Sequence, residues 1–167
     1  MRVVVDDLAF VPADAIVRPA TATLEPTTPA LRRLEQVGGQ AFWNQMRTER
    51  ELAVGSAVVT GGGDLSAELV IHAIIRSATI PCSKDTVRRA LTSALQRAAD
   101  WRLAHLAIPP LGTGAGNLSL DDAADVMCTT LNRDVPALPF PADVTLVVET
   151  PEEQAVFERA LQRAAPA

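Results

Sequence analysis

The chain has 167 residues, a net charge of −5, 48% hydrophobic and 21% charged residues, a composition typical of one globular domain and unlike that of a disordered protein. No apolar run approaches the ~20 residues that a membrane-spanning helix needs, and the N-terminus becomes acidic too early for a secretory signal, so we expect a cytoplasmic protein without a membrane partner. The acidic charge and the scarcity of lysine and aromatic residues disfavour general nucleic-acid binding.

The first half of the chain predicts four strands and one helix. Residues 2–7 and 14–20 have strand-like apolar runs and are joined by a turn around Val11 and Pro12. Residues 28–51 have apolar positions near helical spacing and predict a helix interrupted at Gly38 and Gly39. Residues 56–63 and 69–75 are two further strands, separated by a glycine-bearing turn.

Helices and strands alternate in the second half. Helices are predicted at residues 83–102, 118–134 and 151–165, with Ser83 and Ser119 as N-caps and Pro151 in a first turn. The strands between them are residues 103–111 and 143–149. This alternation predicts a layered α/β fold with a largely parallel sheet. Because no repeat or long linker interrupts it, we expect a single domain over residues 1–167.

A glycine-rich loop connects the strand at 103–111 to the following helix. Gly112, Gly114 and Gly116 alternate with Thr113 and Ala115. Glycines adopt backbone conformations in which successive amides turn inward and form an anion-binding nest. Ligands of open α/β sheets lie beyond the carboxyl ends of the strands, where this loop is predicted. The loop therefore predicts a phosphate or diphosphate site, and the alternative is a tight turn that binds nothing.

Two familiar phosphate loops do not fit this segment. A P-loop requires a Gly-Lys-Ser/Thr sequence, and no lysine is near. The dinucleotide fingerprint requires glycine at its sixth position, where this chain has Asn117. Asp121 and Asp122 already occupy the first turn of the helix and compete with an anion for its dipole. We therefore expect the loop amides, rather than the helix end, to hold an anion.

Other reactive side chains are sparse. Cys82 and Cys128 have no CxxC partner, and with His72 and His105 they show no zinc-ligand spacing, so we predict neither a metal nor a cofactor. Both histidines are interpreted as core or sheet-end residues, with a two-histidine metal site as the alternative. Four arginines are interpreted as belonging to solvated helix faces: Arg32, Arg33, Arg47 and Arg50.

Several of these segments together resemble the macrodomain family, whose members bind ADP-ribose. Asp7-Leu8 stands seven residues before Asp14-Ala15-Ile16-Val17, as an Asp-Ile-Thr turn precedes an Asp-Ala-Ile-Val strand in the family. Residues 55–74 are similar to its Gly-x-Ala to Val-Ile-His stretch, and residues 107–124 to its second phosphate loop. The resemblance is collinear over nearly the whole chain. It implies a three-layer α/β/α fold with a central mixed, largely parallel sheet flanked by helices.

The resemblance also implies roles for individual residues. Asp7 would accept a hydrogen bond from the adenine amino group, with the Leu8 amide nearby, and Glu149 or Thr150 would flank the adenine. The loop Gly112, Thr113, Gly114, Ala115 and Gly116 would hold the diphosphate. Three further residues would lie beside the distal ribose: Ala20, Thr21 and Asn117.

The chain departs from the family pattern in the first loop. Hydrolytic members carry Asn-Ala-Ala-Asn where this chain has Arg18-Pro19-Ala20-Thr21, and a triple glycine near Thr27-Thr28-Pro29. Threonine and proline lack the conformational freedom of glycine, and proline has no amide donor. We expect this loop to be rebuilt, so that any hydrolysis would depend on Thr21, Thr28, Glu25 or Glu35. Both glutamates are interpreted as surface residues.

Three functions remain open from the sequence. The first is binding of ADP-ribose, free or attached to a protein partner, which the kept Asp7 and Gly112–Gly116 features favour. The second is hydrolysis of ADP-ribose from modified proteins or deacetylation of O-acetyl-ADP-ribose. The third is a fold retained for protein–protein interaction or for another nucleotide. The sequence does not decide the oligomeric state.

Overall fold

A computed structural model describes residues 1–46, 50–114 and 117–166 of the chain. The strands are β1 (Arg2–Val5), β2 (Ala15–Thr21), β3 (Ala57–Gly61), β4 (Leu69–Arg76), β5 (His105–Ile108) and β6 (Asp143–Val148). The helices are α1 (Pro29–Gln45), α2 (Lys84–Asp100), α3 (Leu120–Asp134) and α4 (Pro151–Ala164), and a short 3₁₀ turn covers Val135–Ala137. None of the described helices is long and apolar enough to cross a membrane.

The six strands form one sheet in the order β1-β6-β5-β2-β4-β3. Every neighbouring pair is parallel except β3 with β4, which is antiparallel at one edge. The carboxyl ends of the five parallel strands therefore meet along one edge of the sheet, which is where ligands of such sheets bind.

Apolar side chains cover both faces of the sheet. In β2, Ile16 packs against the α1 side, whereas its neighbour Val17 packs against the side of α2, α3 and α4, because successive side chains of a strand point to opposite faces. Leu34 of α1 and Leu91 of α2 belong to these two opposite cores. The three-layer α/β/α architecture with a mixed, largely parallel sheet is thus confirmed.

Helix boundaries follow the capping residues. Ser83 Oγ accepts from the Thr86 amide at 3.1 Å, and Thr86 Oγ1 accepts from the Ser83 amide at 2.9 Å, which is a reciprocal capping box. Ser119 Oγ accepts from the Asp122 amide at 3.1 Å. The predicted interruption of α1 is confirmed at Gly39, where φ is +73°. The first strand is shorter than predicted and ends at Val5.

Candidate ligand-binding site

A cavity of about 1070 Å³ lies at the carboxyl ends of β1, β5 and β6. Its floor is formed by the strand ends, including Val5, Pro109, Pro110 and Val147. Its other walls come from the turn after β1, the beginning of α1, the glycine-rich loop and the first turn of α4. This volume lies at the upper end of the usual range for small-molecule sites, so the cavity can take a ligand of nucleotide size or larger.

Asp7 lines one end of the cavity in a turn that directly follows β1. Its Oδ1 accepts from the Ala9 amide at 3.0 Å, and its carbonyl accepts from the Phe10 amide at 3.0 Å. Its Oδ2 lies 3.0 Å from Arg33 Nη2 of α1. Leu8 lines the cavity beside it. The turn holds the carboxylate in place, and each carboxylate oxygen has a second lone pair for a ligand donor.

The same end of the cavity carries a cluster of acids. Glu149 follows β6, Glu153 lies in the first turn of α4, and both line the cavity with Asp6 and Asp7. Burial, followed by the negative charge of Glu149, raises the pKa of the Glu153 carboxyl above its usual value. This end is therefore suited to hydrogen-bond donors such as amino and hydroxyl groups, and it is unsuited to a phosphate.

The glycine-rich loop lines the opposite part of the cavity through Thr113 and Gly114. Gly114 has φ of +114°, and a Cβ atom placed on it would lie 3.3 Å from Thr28 Cγ2 and 3.4 Å from the Thr27 carbonyl oxygen. The loop that contains Thr27 and Thr28 thus approaches the glycine-rich loop closely at Gly114. Thr28 itself lines the cavity.

Gly112 has a different environment from Gly114. Its φ is +85°, and a Cβ atom there would lie 2.8 Å from Val87 Cγ2, in the apolar packing against α2. Its carbonyl oxygen accepts from the Leu118 amide at 2.8 Å, which closes the loop. Gly112 is therefore required for packing and is not among the cavity-lining residues. Ala115 and Gly116 lie outside the described residues.

Asn117 stabilises the glycine-rich loop through side-chain hydrogen bonds and does not line the cavity. Its Nδ2 donates to the Thr113 carbonyl oxygen at 3.3 Å, and its Oδ1 accepts from Arg76 Nη1 at 3.3 Å. The side chain thereby connects the loop to the end of β4.

Ala20 and Thr21 are not brought to this cavity. Ala20 is completely buried and forms an isolated bridge with Pro26. Thr21 Oγ1 accepts from the Glu25 amide at 3.1 Å, so its hydroxyl closes the turn after β2. Of the four catalytic candidates, the structure places only Thr28 at the cavity, and Thr21, Glu25 and Glu35 do not line it.

Glu35 is not a surface residue, contrary to the expectation from its sequence context. Its side chain is 2% exposed and forms an ion pair with Arg18, which is completely buried. Glu25 is exposed as expected. Pairing with Arg18 removes Glu35 as a free general base, because the carboxylate charge is already engaged. The sequence indicated that Arg18 has a buried partner, because it is an arginine within an otherwise apolar strand.

His72 belongs to the same buried network as Arg18. Its Nδ1 lies 3.2 Å from Arg18 Nη1 and its Nε2 lies 2.8 Å from Thr60 Oγ1. Since arginine can only donate, Nδ1 accepts and Nε2–H donates to Thr60. Burial, followed by the positive charge of Arg18, lowers the pKa of His72 to about 3. Phe42 stacks on the ring with centroids 6.0 Å apart.

Within the described part of the chain, no group of three or more histidine, cysteine or acidic side chains is arranged to hold a metal ion. Cys128 is buried, and burial raises the pKa of its thiol to about 12. Cys82 is partly buried, and burial raises the pKa of its thiol as well. Burial thus disfavours the thiolate at both sulfurs, so neither cysteine is activated as a nucleophile.

Sequence reasoning missed several cavity residues. The interpretation of Arg33 as part of a solvated helix face agrees with its 64% exposed side chain, but the sequence did not indicate its contact with Asp7. Glu153 was not recognised, although it lies four residues after Glu149 across the start of a helix. The Pro109-Pro110 pair follows β5, and because proline has no amide donor for the sheet, the pair indicates that the chain leaves the sheet there, at the edge where ligands bind.

Comparisons with known proteins agree with this geometry. The family model described as Macro domain matches residues 17–127. An uncharacterized protein of Pyrobaculum aerophilum is 33% identical over 137 residues, covering 79% of this chain and 74% of that protein. An uncharacterized protein of Mycobacterium tuberculosis is 29% identical over 130 residues, covering 78% of this chain. The chain matches only 36% of that mycobacterial relative, so it spans about a third of the relative's length.

The fold is also found among solved structures. A glycine-to-valine mutant of the Oceanobacillus iheyensis macrodomain with ADPR superimposes with a TM-score of 0.86. The superposition covers 96% of this chain and 91% of that one, at 19% sequence identity. At this identity the likeness shows the shared fold.

Proposed function

Because the chain belongs to the Macro domain family, we propose that it binds ADP-ribose, free or attached to a protein, in the cavity between Asp7 and Gly114. The observation that carries the proposal is that one cavity joins a fixed carboxylate to a glycine loop with left-handed backbone. The Oceanobacillus macrodomain of the same fold was solved with ADPR.

The two ends of the cavity suit the two halves of the ligand. At the acidic end, Asp7 Oδ2 accepts from the exocyclic amino group of adenine, because an ionised carboxylate is an acceptor only. At the other end, the backbone around Thr113 and Gly114 approaches the diphosphate. Leu8, Leu31 and Val147 provide apolar walls between these ends. This arrangement separates the anionic diphosphate from the carboxylates.

Binding is better supported than hydrolysis. A base within hydrogen-bond reach of the attacking water would accelerate hydrolysis at the scissile ribose. Among the described residues that line the cavity, Asp6 and Asp7 follow β1, Glu149 follows β6 and Glu153 lies in α4, and none of these carboxylates belongs to the first loop or to the glycine-rich loop. Glu35 is held by Arg18, and Thr21 is held in its own turn. We therefore propose a binding module.

The proposal is tested by calorimetric titration of the protein with ADP-ribose, with AMP and NAD as controls. We expect a micromolar dissociation constant for ADP-ribose and weaker binding of both controls. A dissociation constant for AMP equal to that for ADP-ribose would show that the second phosphate and the distal ribose add no affinity. Absence of heat with all three ligands would contradict the proposal. Incubation of the protein with an ADP-ribosylated protein, followed by measurement of released ADP-ribose, separates binding from hydrolysis.

A further inference from the structure

The cavity has an unusual composition for a nucleotide-base site. Base-binding sites commonly place an aromatic ring or a guanidinium plane against the base, because every base has a π-face. None of the described residues that line this cavity is aromatic. Phe10 is exposed and lies three residues after Asp7, but it is not among the lining residues. The cavity therefore needs another side chain if a base is to be covered.

Arg33 is the single cationic side chain among the described lining residues. It extends from α1 to the turn after β1, where its Nη2 lies 3.0 Å from Asp7 Oδ2. Its side chain is 64% exposed. An ion pair between groups this exposed contributes little to stability. The ion pair instead fixes a position: it holds the Arg33 guanidinium beside the carboxylate that is proposed to bind the base.

We propose that Arg33 covers one face of the adenine base and so contributes to the affinity for the ligand; this inference rests on the proposed binding of ADP-ribose. Asp7 Oδ2 can accept from Arg33 and from the adenine amino group together, because it has two lone pairs. A ring hydrogen-bonded to Asp7 then lies within reach of the guanidinium. The guanidinium is planar and weakly hydrated, and it stacks on aromatic rings. Leu8 and Val147 provide apolar surface in the same cavity.

The alternative is that Arg33 opposes binding of the base. If Arg33 instead neutralises Asp7 and occupies the base position, it competes with adenine, and its removal would tighten binding. The two roles predict opposite signs for the same substitution, so one titration distinguishes them.

The test uses Arg33→Ala, Arg33→Lys and Arg33→Phe, with Arg32→Ala as the matched control. Arg32 is the neighbouring exposed residue of the same helix and is absent from the cavity lining, so its loss changes the net charge equally. We expect Arg33→Ala to weaken ADP-ribose binding roughly three- to thirty-fold, the range of a cation–π contact. Arg33→Phe restores most of the affinity, because it supplies a face without a charge, and Arg33→Lys restores only part.

A second ligand distinguishes the contribution of Arg33 to binding from that of Asp7. Inosine diphosphate-ribose keeps a planar purine, hypoxanthine, but has a carbonyl oxygen in place of the amino group. Arg33→Ala should weaken binding of both ligands by similar factors, whereas Asp7→Ala should weaken the adenine ligand more than the hypoxanthine ligand, because it removes the acceptor for the amino group in addition to the partner of Arg33. Unchanged or tighter ADP-ribose binding by Arg33→Ala overturns the inference, and so does an equal loss in Arg32→Ala. If the unaltered protein fails to bind ADP-ribose, the proposed function fails first, and the role of Arg33 fails with it.

Discussion

Arg18 and Glu35 form an ion pair in the interior of the protein, between the middle of β2 and the second turn of α1. The side chains are 0% and 2% exposed. Arg18 Nη2 also donates to the Leu24 carbonyl oxygen at 2.8 Å, and Leu24 has a left-handed φ of +64°. The pair therefore connects the sheet, the helix and the loop that leads to Thr28 at the cavity.

Removing one partner of this pair should destabilise the fold strongly. Arg18→Met leaves Glu35 as an uncompensated buried charge, for which the expected loss is about 3–5 kcal/mol of unfolding free energy. The double variant Arg18→Met with Glu35→Leu should recover most of this loss, because neither charge remains buried. Urea unfolding of Arg18→Met, Glu35→Leu and the double variant measures the interaction free energy between the two side chains. Additive losses in the double variant would show that the two charges do not depend on each other.

His72 should make stability fall in mild acid. Its pKa is about 3 in the folded chain and about 6.5 when unfolded, because burial and Arg18 disfavour the charged ring. The folded-state pKa is depressed, so the contribution is complete above pH 6.5 and is lost as the pH falls from 6.5 towards 3. His72→Gln should flatten the dependence of unfolding free energy on pH in this window.

The control for this experiment is His105→Gln. His105 is partly buried and its Nε2 contacts Thr145 Oγ1 at 2.8 Å, away from Arg18. Subtracting the curve of each variant from that of the parent removes the contribution of carboxylates. A difference curve for His72→Gln that is flat between pH 6.5 and 4 would contradict the burial argument.

The fold was readable from the sequence because its signals are local and repeated. The apolar run of β4 and the stripe of Val87, Leu91 and Leu95 in α2 each specify an element over several residues. Ser83 and Ser119 specify where helices begin. These local patterns predict the elements and a layered α/β fold, whereas the three-layer arrangement with a mixed sheet was implied by the resemblance to the macrodomain family.

The candidate site was only partly readable, because its missing residues depend on contacts between distant segments. Arg33 and Asp7 are far apart in sequence and meet only when α1 packs over the end of β1. Arg18 in a strand signals a partner, but periodicity cannot identify Glu35 as that partner. The placement of Thr21 in a closed turn depends on Glu25. Side-chain direction in a loop is set by such contacts rather than by residue type.

Asp7→Ala should weaken ligands that carry adenine. The substitution removes an ionised acceptor, and a hydrogen bond to a charged group is worth about 1.5–3 kcal/mol, or roughly ten- to a hundred-fold in affinity. Ribose 5-phosphate, which lacks the base, should bind the variant and the parent alike. Titration of both ligands measures the difference. Asp100→Ala, an exposed acid at the end of α2, controls for the change in net charge, and an equal effect there would contradict a direct role for Asp7.

Gly114→Val and Gly112→Val should separate ligand binding from stability. At position 114 a Cβ atom would lie 3.3 Å from Thr28 Cγ2, and both residues line the cavity, so we expect the larger valine side chain to alter this wall and ADP-ribose binding to be lost. At position 112 a Cβ atom meets Val87 Cγ2 at 2.8 Å, which is closer than packing allows, so this variant should lose more of its unfolding free energy. Both positions have positive φ, +85° at Gly112 and +114° at Gly114, so each variant carries backbone strain in addition to its contacts. Thermal unfolding and calorimetric titration are measured on each. If Gly114→Val bound ADP-ribose like the parent, the glycine loop would not contact the diphosphate, and the assignment of this end of the cavity would be wrong.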